Sequence, residues 1–330
     1  MKKIKVGIIG LGVGYKHFEA YNFSKNSTVK SVCDFDKKKL FKIKKNYPKI
    51  IITQNSSDII KDKEIDLVSI ASYDGYHYEQ IKQCIKNKKH IFVEKPFCLS
   101  LKQLNIIDIL TKKFKINIES NYVLRTTDIF KKILGYTKYN KDLYFIDADY
   151  LWGRYKKLFG WRNKTKDFSL ILGGAIHIID LICWITNKYP ITVSTSSNNI
   201  ALNKSKFKKN SFFLIVLKFK NGLIAKVSFN SNSNTKHFHQ IKLYYKNSSI
   251  FHGPQGTDIF VNSKKIKTKI GKYPDKKNRK NLISDYVEKL YKTKFRYVYN
   301  KRLFKIMKIC FAAIESDKKK KLLKINYARN

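Results

Sequence analysis

The first chemistry legible in this chain is the binding of a phosphorylated ligand. Lys5-Val6-Gly7-Ile8-Ile9-Gly10-Leu11-Gly12-Val13-Gly14-Tyr15 reads as an apolar strand that runs into glycines and then into a helix. In that context Gly10 allows a tight turn, Gly12 lets backbone N–H groups approach a pyrophosphate, and the anion rests on the positive end of the helix. The third glycine of the usual spacing falls at Tyr15 and not at Gly14, so helix and strand must pack somewhat differently here. Glycines also serve ordinary turns, and the pattern alone does not decide. Asp34, 24 residues after Gly10 at the end of the next strand, adds a carboxylate that can accept hydrogen bonds from an adenosine ribose and repel a 2′-phosphate. NAD is therefore expected over NADP. Asp36 competes for that role, Lys37 to Lys39 could accommodate a 2′-phosphate, and a turn or cap would equally explain Asp34. A second candidate is His177, set in the apolar run Leu170 to Ile185, where an imidazole is costly to bury without a partner. Asp180, three residues on, shares its helical face. The competing reading is a hydrogen-bonded core histidine.

The elements that must position these groups follow from hydrophobic spacing. Apolar runs at Ile4 to Gly10, Val29 to Phe35, Ile50 to Thr53, Asp66 to Ser72, His90 to Glu94 and Ile116 to Tyr122 alternate with helical stretches such as Tyr76 to Asn87 and Leu99 to Phe114. That rhythm predicts βαβ units and a parallel sheet, with a dinucleotide-binding domain over residues 1–121. Residues 122–330 form the expected second domain. Helices are predicted at Asp128 to Leu134 and Phe168 to Ile185, and strands at Leu143 to Tyr150, Phe212 to Phe219, Leu223 to Phe229 and His239 to Tyr245. Asn221-Gly222 is a strong hairpin signal, so this sheet is expected to be mostly antiparallel. Ser194 to Asn210 and Asn230 to Lys236 read as surface loops, and helices from about Lys276 to Tyr291 and Lys301 to Ser316 follow.

Composition narrows the function classes. The 330 residues are 43% hydrophobic, enough for a sizeable core, with no apolar run of membrane-spanning length, so a soluble cytoplasmic protein is expected. Five scattered cysteines form no CxxC, and neither a disulfide framework nor a metal site is expected. The net charge of +45 points to polyanions, yet only seven of the 69 cationic residues are arginine and the lysines are spread throughout. The expectation is no nucleic-acid or membrane partner, and a milder attraction for anionic substrates.

Four motifs in order carry a family resemblance: Gly10-Leu11-Gly12, Ser72-Tyr73-Asp74-Gly75-Tyr76-His77, Glu94-Lys95-Pro96, and Gly174-Ala175-Ile176-His177-Ile178-Ile179-Asp180. Together with the closing Ala312-Ala313-Ile314-Glu315-Ser316 they resemble the Gfo/Idh/MocA oxidoreductases over essentially the whole chain. The resemblance implies an amino-terminal Rossmann domain, a carboxy-terminal α/β domain with a large open sheet, and NAD(P). It also implies sugars, nucleotide sugars or inositols as substrates, and a homo-oligomer, dimer or tetramer. Lys95 becomes the proton carrier: at a strand's carboxyl end, partly desolvated, its amine can exchange a proton with a substrate hydroxyl while hydride passes to the nicotinamide. Pro96 resembles the proline that shapes the backbone beside the nicotinamide, and Glu94 orients or pairs with Lys95. Val13, Ser72 and His77 join the expected cofactor pocket. His177 is a second proton donor and acceptor, with Asp180 orienting it or a substrate hydroxyl.

Softer candidates complete the set. Asn121 and Arg125 resemble positions near nicotinamide and substrate, against an interdomain hinge as the plain alternative. Trp152, Arg154, Tyr155, Trp161 and Arg162 suit a sugar ring or an anionic diphosphate, and Trp161 and Arg162 are taken as substrate-binding; interface packing is the alternative. His237 and His239 alternate on a strand and suggest nothing specific. One departure stands out: many family dehydrogenases carry a carboxylate or amide one turn before the histidine, and here that residue is Gly173. The leading expectation is reversible oxidation of a secondary alcohol on a sugar, such as a nucleotide sugar of surface-polysaccharide synthesis. A dinucleotide- and sugar-binding regulator without turnover is the alternative.

Overall fold

A computed structural model describes residues 2–267 and 278–328, which fall into two compact units. The first holds residues 2–123 and 278–304, the second residues 124–267 and 305–328. In the first unit the chain alternates β1 (Ile4–Ile9), α1 (Gly14–Phe23), β2 (Ser27–Cys33), α2 (Lys37–Asn46), β3 (Ile51–Thr53) and α3 (Ser56–Lys61). It continues through β4 (Leu67–Ile70), α4 (Asp74–Lys86), β5 (His90–Val93), α5 (Leu101–Lys113) and β6 (Ile118–Ser120). The six strands form a parallel sheet in the order β3-β2-β1-β4-β5-β6. Strand order reverses beside β1, and in such sheets ligands bind at the carboxyl ends next to that switch point. Every residue of β4 is buried, as expected for a strand covered on both faces.

Helix ends divide into two kinds. Side chains cap α2, α3 and α5: Asp36 accepts from Lys38 N at 3.0 Å, Asn55 from Ser57 N at 3.0 Å and Ser100 from Gln103 N at 3.2 Å. No side chain caps α1 or α4, whose amino ends follow β1 and β4 directly.

The second unit carries α6 (Asp128–Tyr139), β7 (Leu143–Leu151), α7 (Trp161–Lys164), α8 (Ile176–Thr186), β8 (Pro190–Asn198), β9 (Phe212–Phe219) and β10 (Ile224–Asn230). Strands β11 (Phe238–Tyr245), β12 (Ser248–Gly253), β13 (Gly256–Val261) and β14 (Lys264–Lys267) follow. After α9 (Asn278–Lys292), the chain ends in α10 (Lys301–Lys319) and β15 (Leu323–Lys324). The nine-stranded sheet runs β14-β13-β12-β11-β7-β10-β9-β8-β15, antiparallel except for the β7–β10 pair. Gly222, at φ +86°, makes the β9–β10 turn that Asn221-Gly222 announces.

Two differences from the sequence reading have physical causes. Ser194 to Asn198 is the second half of β8 and not a loop: Val193 and Thr195 are buried while Ser194 and Ser196 point away, and the strand pairs with β9 through Asn198 and Phe212. Polar residues alternating with β-branched ones look like a loop until a neighbouring strand pairs with them. Helix α9, expected in the second domain, buries Ile283, Tyr286, Val287 and Leu290 in the core of the first unit with Phe18, Tyr21 and Phe92. Helical periodicity shows that α9 has an apolar face; it carries no address for that face. Among the described residues no helix is long and apolar enough to cross a membrane.

Glycine 174 is set by packing: a Cβ there would lie 1.9 Å from Phe229 Cε2 on β10. Gly174→Ala is expected to cost about 1–3 kcal/mol through overpacking, read as a lowered urea midpoint. Gly75→Ala, in the first turn of α4 with nothing within 4 Å of its Cβ position, should leave the midpoint unchanged or raise it.

Candidate active site

At the carboxyl end of β1, Gly10 has φ +90°, and a Cβ would fall 2.5 Å from the Ala71 carbonyl oxygen and 2.7 Å from Ser72 N. Only glycine fits there. A Cβ on Gly12 would meet nothing within 4 Å, leaving the open room that a close-lying phosphate needs. A Cβ on Gly14 would touch Ala71 Cβ at 3.0 Å and Ile8 Cγ2 at 3.4 Å. Close packing of α1 on the sheet is thus supplied by Gly14, one residue earlier than the usual spacing places it. Val13 sits at the N-cap of the ten-residue α1 without a side-chain hydrogen bond, so first-turn amides are left for an anion.

Asp34 is buried just past β2, and both its oxygens accept from backbone: Oδ2 from Leu11 N at 2.6 Å and Oδ1 from Asp36 N at 2.9 Å. Because an ionised carboxylate offers about four acceptor positions, Asp34 can fix the glycine turn and still receive ribose hydroxyls. Asp36 is occupied as the cap of α2. Lys39 Nζ stands 3.6 Å from Asp34 Oδ2 and 3.8 Å from Asp36 Oδ2.

Beyond β5 lies the Glu94-Lys95-Pro96 turn. Glu94 Oε1 receives Asn121 Nδ2 at 2.5 Å and His17 Nε2 at 3.1 Å, with Arg279 Nε at 3.6 Å. A carboxylate only accepts, so His17 Nε2 carries the ring proton and Nδ1 accepts from Ser69 Oγ at 2.9 Å. Burial alone would raise the Glu94 pKa from 4.5; the hydrogen bond from His17 and the positive charges of Arg279 and Lys95 outweigh it and bring it to about 2. Burial in turn pushes His17 below its ordinary value. Where the sequence reading had Glu94 orient or pair with Lys95, its carboxylate is clamped by His17, Asn121 and Arg279. Lys95 is half-buried between buried Glu94 and Pro96.

His77 ties neighbouring loops together. Its Nδ1 is 2.8 Å from the Pro96 carbonyl oxygen and its Nε2 3.1 Å from that of Ser72, while the Ser72 hydroxyl donates to Gln80 Oε1 at 2.6 Å. The orphaned Asn121 Oδ1 is buried with no donor among the described residues, as a group awaiting a ligand amide would be. Room at Gly12, an uncapped α1, Asp34 and this oxygen together fit a nicotinamide dinucleotide.

In the second unit, a π-helical turn over Ile171–Ala175 leads into α8. Such turns often occur at functional positions. His177 is half-exposed, whereas the residues from Ile178 to Cys183 are buried. Its ring lies 6.2 Å from Tyr150 and 5.9 Å from His239, and the His239 ring is tilted against Tyr150 at 4.0 Å. Both oxygens of buried Asp180 accept from Arg125, Oδ2 from Nε at 2.6 Å and Oδ1 from Nη2. The sequence reading kept these two apart, Asp180 beside His177 and Arg125 beside the nicotinamide; the fold joins them in one buried ion pair. Trp161 and Arg162 lie in α7, with the guanidinium 4.3 Å from the Trp161 ring centre. Among the described residues no His, Cys, Asp and Glu cluster could hold a metal ion.

Sequence reasoning missed His17, Ser69, Arg279 and Tyr150, and gave His239 no role. Only His17 left a trace, as a polar residue beside Phe18, Ala20 and Tyr21 on the buried side of α1.

A sequence model described as "Oxidoreductase family, NAD-binding Rossmann fold" matches residues 4–117, and the Gfo/Idh/MocA carboxy-terminal domain matches residues 142–257. The chain belongs to the Gfo/Idh/MocA oxidoreductase family. Myo-inositol 2-dehydrogenase of Thermotoga maritima is 28% identical over 131 residues, which is 39% of this chain and 39% of that protein. The chain thus aligns with well under half the length of this curated relative. Among solved structures, myo-inositol 2-dehydrogenase from Lactobacillus plantarum superposes with TM-score 0.85 at 18% identity over 98% of this chain and all of that one. Scyllo-inositol dehydrogenase from Lactobacillus casei, with bound NAD(H) and scyllo-inositol, superposes at 0.81 and 18% identity over 98% and 99% of the two chains. At these identities the solved structures establish the fold.

The Glu94 clamp makes a pH prediction. A folded pKa below the unfolded 4.5 contributes stability that is complete above that value and lost as pH falls toward 2. Melting curves between about pH 6 and pH 2 should show Glu94→Gln losing less stability on acidification than wild type. Parallel acid limbs would refute the charged assignment.

Proposed function

We propose that this protein is an NAD-dependent dehydrogenase acting on a secondary hydroxyl of a sugar, nucleotide sugar or inositol-like polyol. The observation that carries the reading is Lys95 on its anchored turn at the carboxyl end of β5, in the unit whose β1–α1 glycine turn and Asp34 fit a dinucleotide. The substrate class draws on relatives whose printed activities are inositol dehydrogenations.

When bound, NAD supplies the hydride acceptor. Gly10, Gly12 and Val13 with the amides of α1 would hold the pyrophosphate, and Asp34 would receive the ribose hydroxyls and disfavour a 2′-phosphate. Asn121 Oδ1 would accept from the carboxamide, while Ser72, His77 and Pro96 shape the surrounding loops. Lys95 Nζ, once it is a neutral amine, would accept the hydroxyl proton as the C–H electron pair leaves as hydride. In the second unit, His177 is the further proton-handling group, with the Asp180–Arg125 pair fixing the helix that carries it.

One observation favours a second reading, a ligand-binding regulator without turnover: the residue one turn before His177 is Gly173, which brings no proton-carrying side chain. Lys95→Ala separates the two. Under the dehydrogenase reading, turnover with inositols or nucleotide sugars falls about 10²–10⁴-fold while NADH affinity, followed by fluorescence titration, changes little. A wild-type protein that binds NADH and turns over none of these compounds would support the regulator. Asp34→Ala should weaken NADH at least tenfold and narrow its margin over NADPH. Equal affinity for both cofactors in wild type would overturn the NAD preference.

A further inference from the structure

The mechanism above gives no task to a tyrosine at the end of β7. Tyr150 is 5% exposed, and four rings surround it: His239 at 4.0 Å, Phe229 at 5.1 Å, His237 at 5.2 Å and His177 at 6.2 Å. Three of the four are histidines, in a chain that has seven, a gathering that apolar packing alone does not call for.

Strand register builds the cluster. β7 runs between β10 and β11, and Tyr150 lies opposite Phe229 on one side and His239 on the other, so the three side chains share a face. The turn before α8 closes on the same place, since a Cβ on Gly174 would lie 1.9 Å from Phe229 Cε2. His177 is therefore held beside Tyr150 by backbone pairing and close packing. One residue earlier, Gly173 brings no side chain, and the Phe168 ring stands 3.1 Å from where its Cβ would be, so that position meets an apolar ring.

The Tyr150 hydroxyl forms no hydrogen bond with a described residue. Burial raises its pKa above the ordinary value, and the charges of Arg154 and Arg162 only partly oppose this, so the phenol stays protonated. Buried tyrosine hydroxyls ordinarily have a partner. Phenylalanine would fill the same space and leave nothing unsatisfied. Beside it, His237 Nδ1 is likewise buried without a partner, and burial with the charges of Arg154 and Lys157 brings that imidazole to about 4. Both groups are uncharged at neutral pH and can pair with hydroxyls, which donate and accept alike.

We propose that Tyr150 is a substrate-binding residue whose hydroxyl bonds a ring hydroxyl of the polyol next to the one handled at His177. The inference rests on the dehydrogenase reading and adds to its site a contact from β7. A protonated phenol is both donor and acceptor, and it supplies from the strand the polar contact that Gly173 does not bring from the turn before α8. No proton is transferred to or from Tyr150. Its bond fixes the orientation of the sugar ring, so that the hydroxyl to be oxidised is set at His177.

Tyr150→Phe tests this, because it keeps the ring and removes only the hydroxyl. The full chain with NADH present is titrated calorimetrically with myo-inositol and with uridine diphosphate glucose, and the tighter ligand is carried forward. Tyr150→Phe is expected to weaken that ligand about tenfold while leaving the melting temperature unchanged or higher. Tyr144→Phe, at an exposed position on the same strand, should change neither. Equal affinity in Tyr150→Phe and wild type, saturable binding of neither ligand, or a melting temperature lowered in Tyr150→Phe would overturn the assignment, the last because it would reveal a partner within the protein. NADH titrated alone reads the dehydrogenase assignment separately: failure of NADH to bind wild type removes that assignment, and polyol binding weakened in Tyr150→Phe with NADH affinity intact isolates the contact.

Discussion

The turn beyond β5 in the first unit depends on keeping one carboxylate charged in a place without water. Glu94 is buried, and an isolated carboxylate there would be driven to protonate. It stays ionised because α1 brings His17, the end of β6 brings Asn121 and α9 brings Arg279 to the same oxygen. Three elements far apart in sequence are thereby fixed to the turn that carries Lys95. Removing any donor would leave a buried charge partly uncompensated, which costs more than the missing bond contributes.

Around that point the helix ends share the work. Helices whose amino termini face ordinary surroundings are closed by Asp36, Asn55 and Ser100, while α1 keeps its first-turn amides open. The open end coincides with the glycine whose Cβ position is empty. In the second unit glycine does the opposite job: Gly174 brings the π-helical turn onto Phe229, and the segment bearing His177 is held by contact.

Much of this was legible in the sequence. The alternation of apolar runs and helical spacing is a local property, and it determined the parallel first sheet, the mostly antiparallel second one and the Asn221-Gly222 turn. Gly10, Gly12 and Asp34 drew attention because strand ends, turns and helix starts have their own residue chemistry, whereas Glu94-Lys95-Pro96 was singled out by the family resemblance. The exchange of Gly14 for the expected glycine at position 15 was visible only as an irregularity.

Tertiary structure decided what requires distance in sequence to become distance in space. Nothing local shows that His17 and Arg279 meet at Glu94, that Arg125 pairs with Asp180, that Ser194 to Asn198 is a strand, or that α9 belongs to the first core. An amphipathic helix specifies that a face must be buried, and a buried charge specifies that partners must be found. Which face and which partners is settled only when the chain has folded, because burial and ion pairing act through space and leave no period in the sequence.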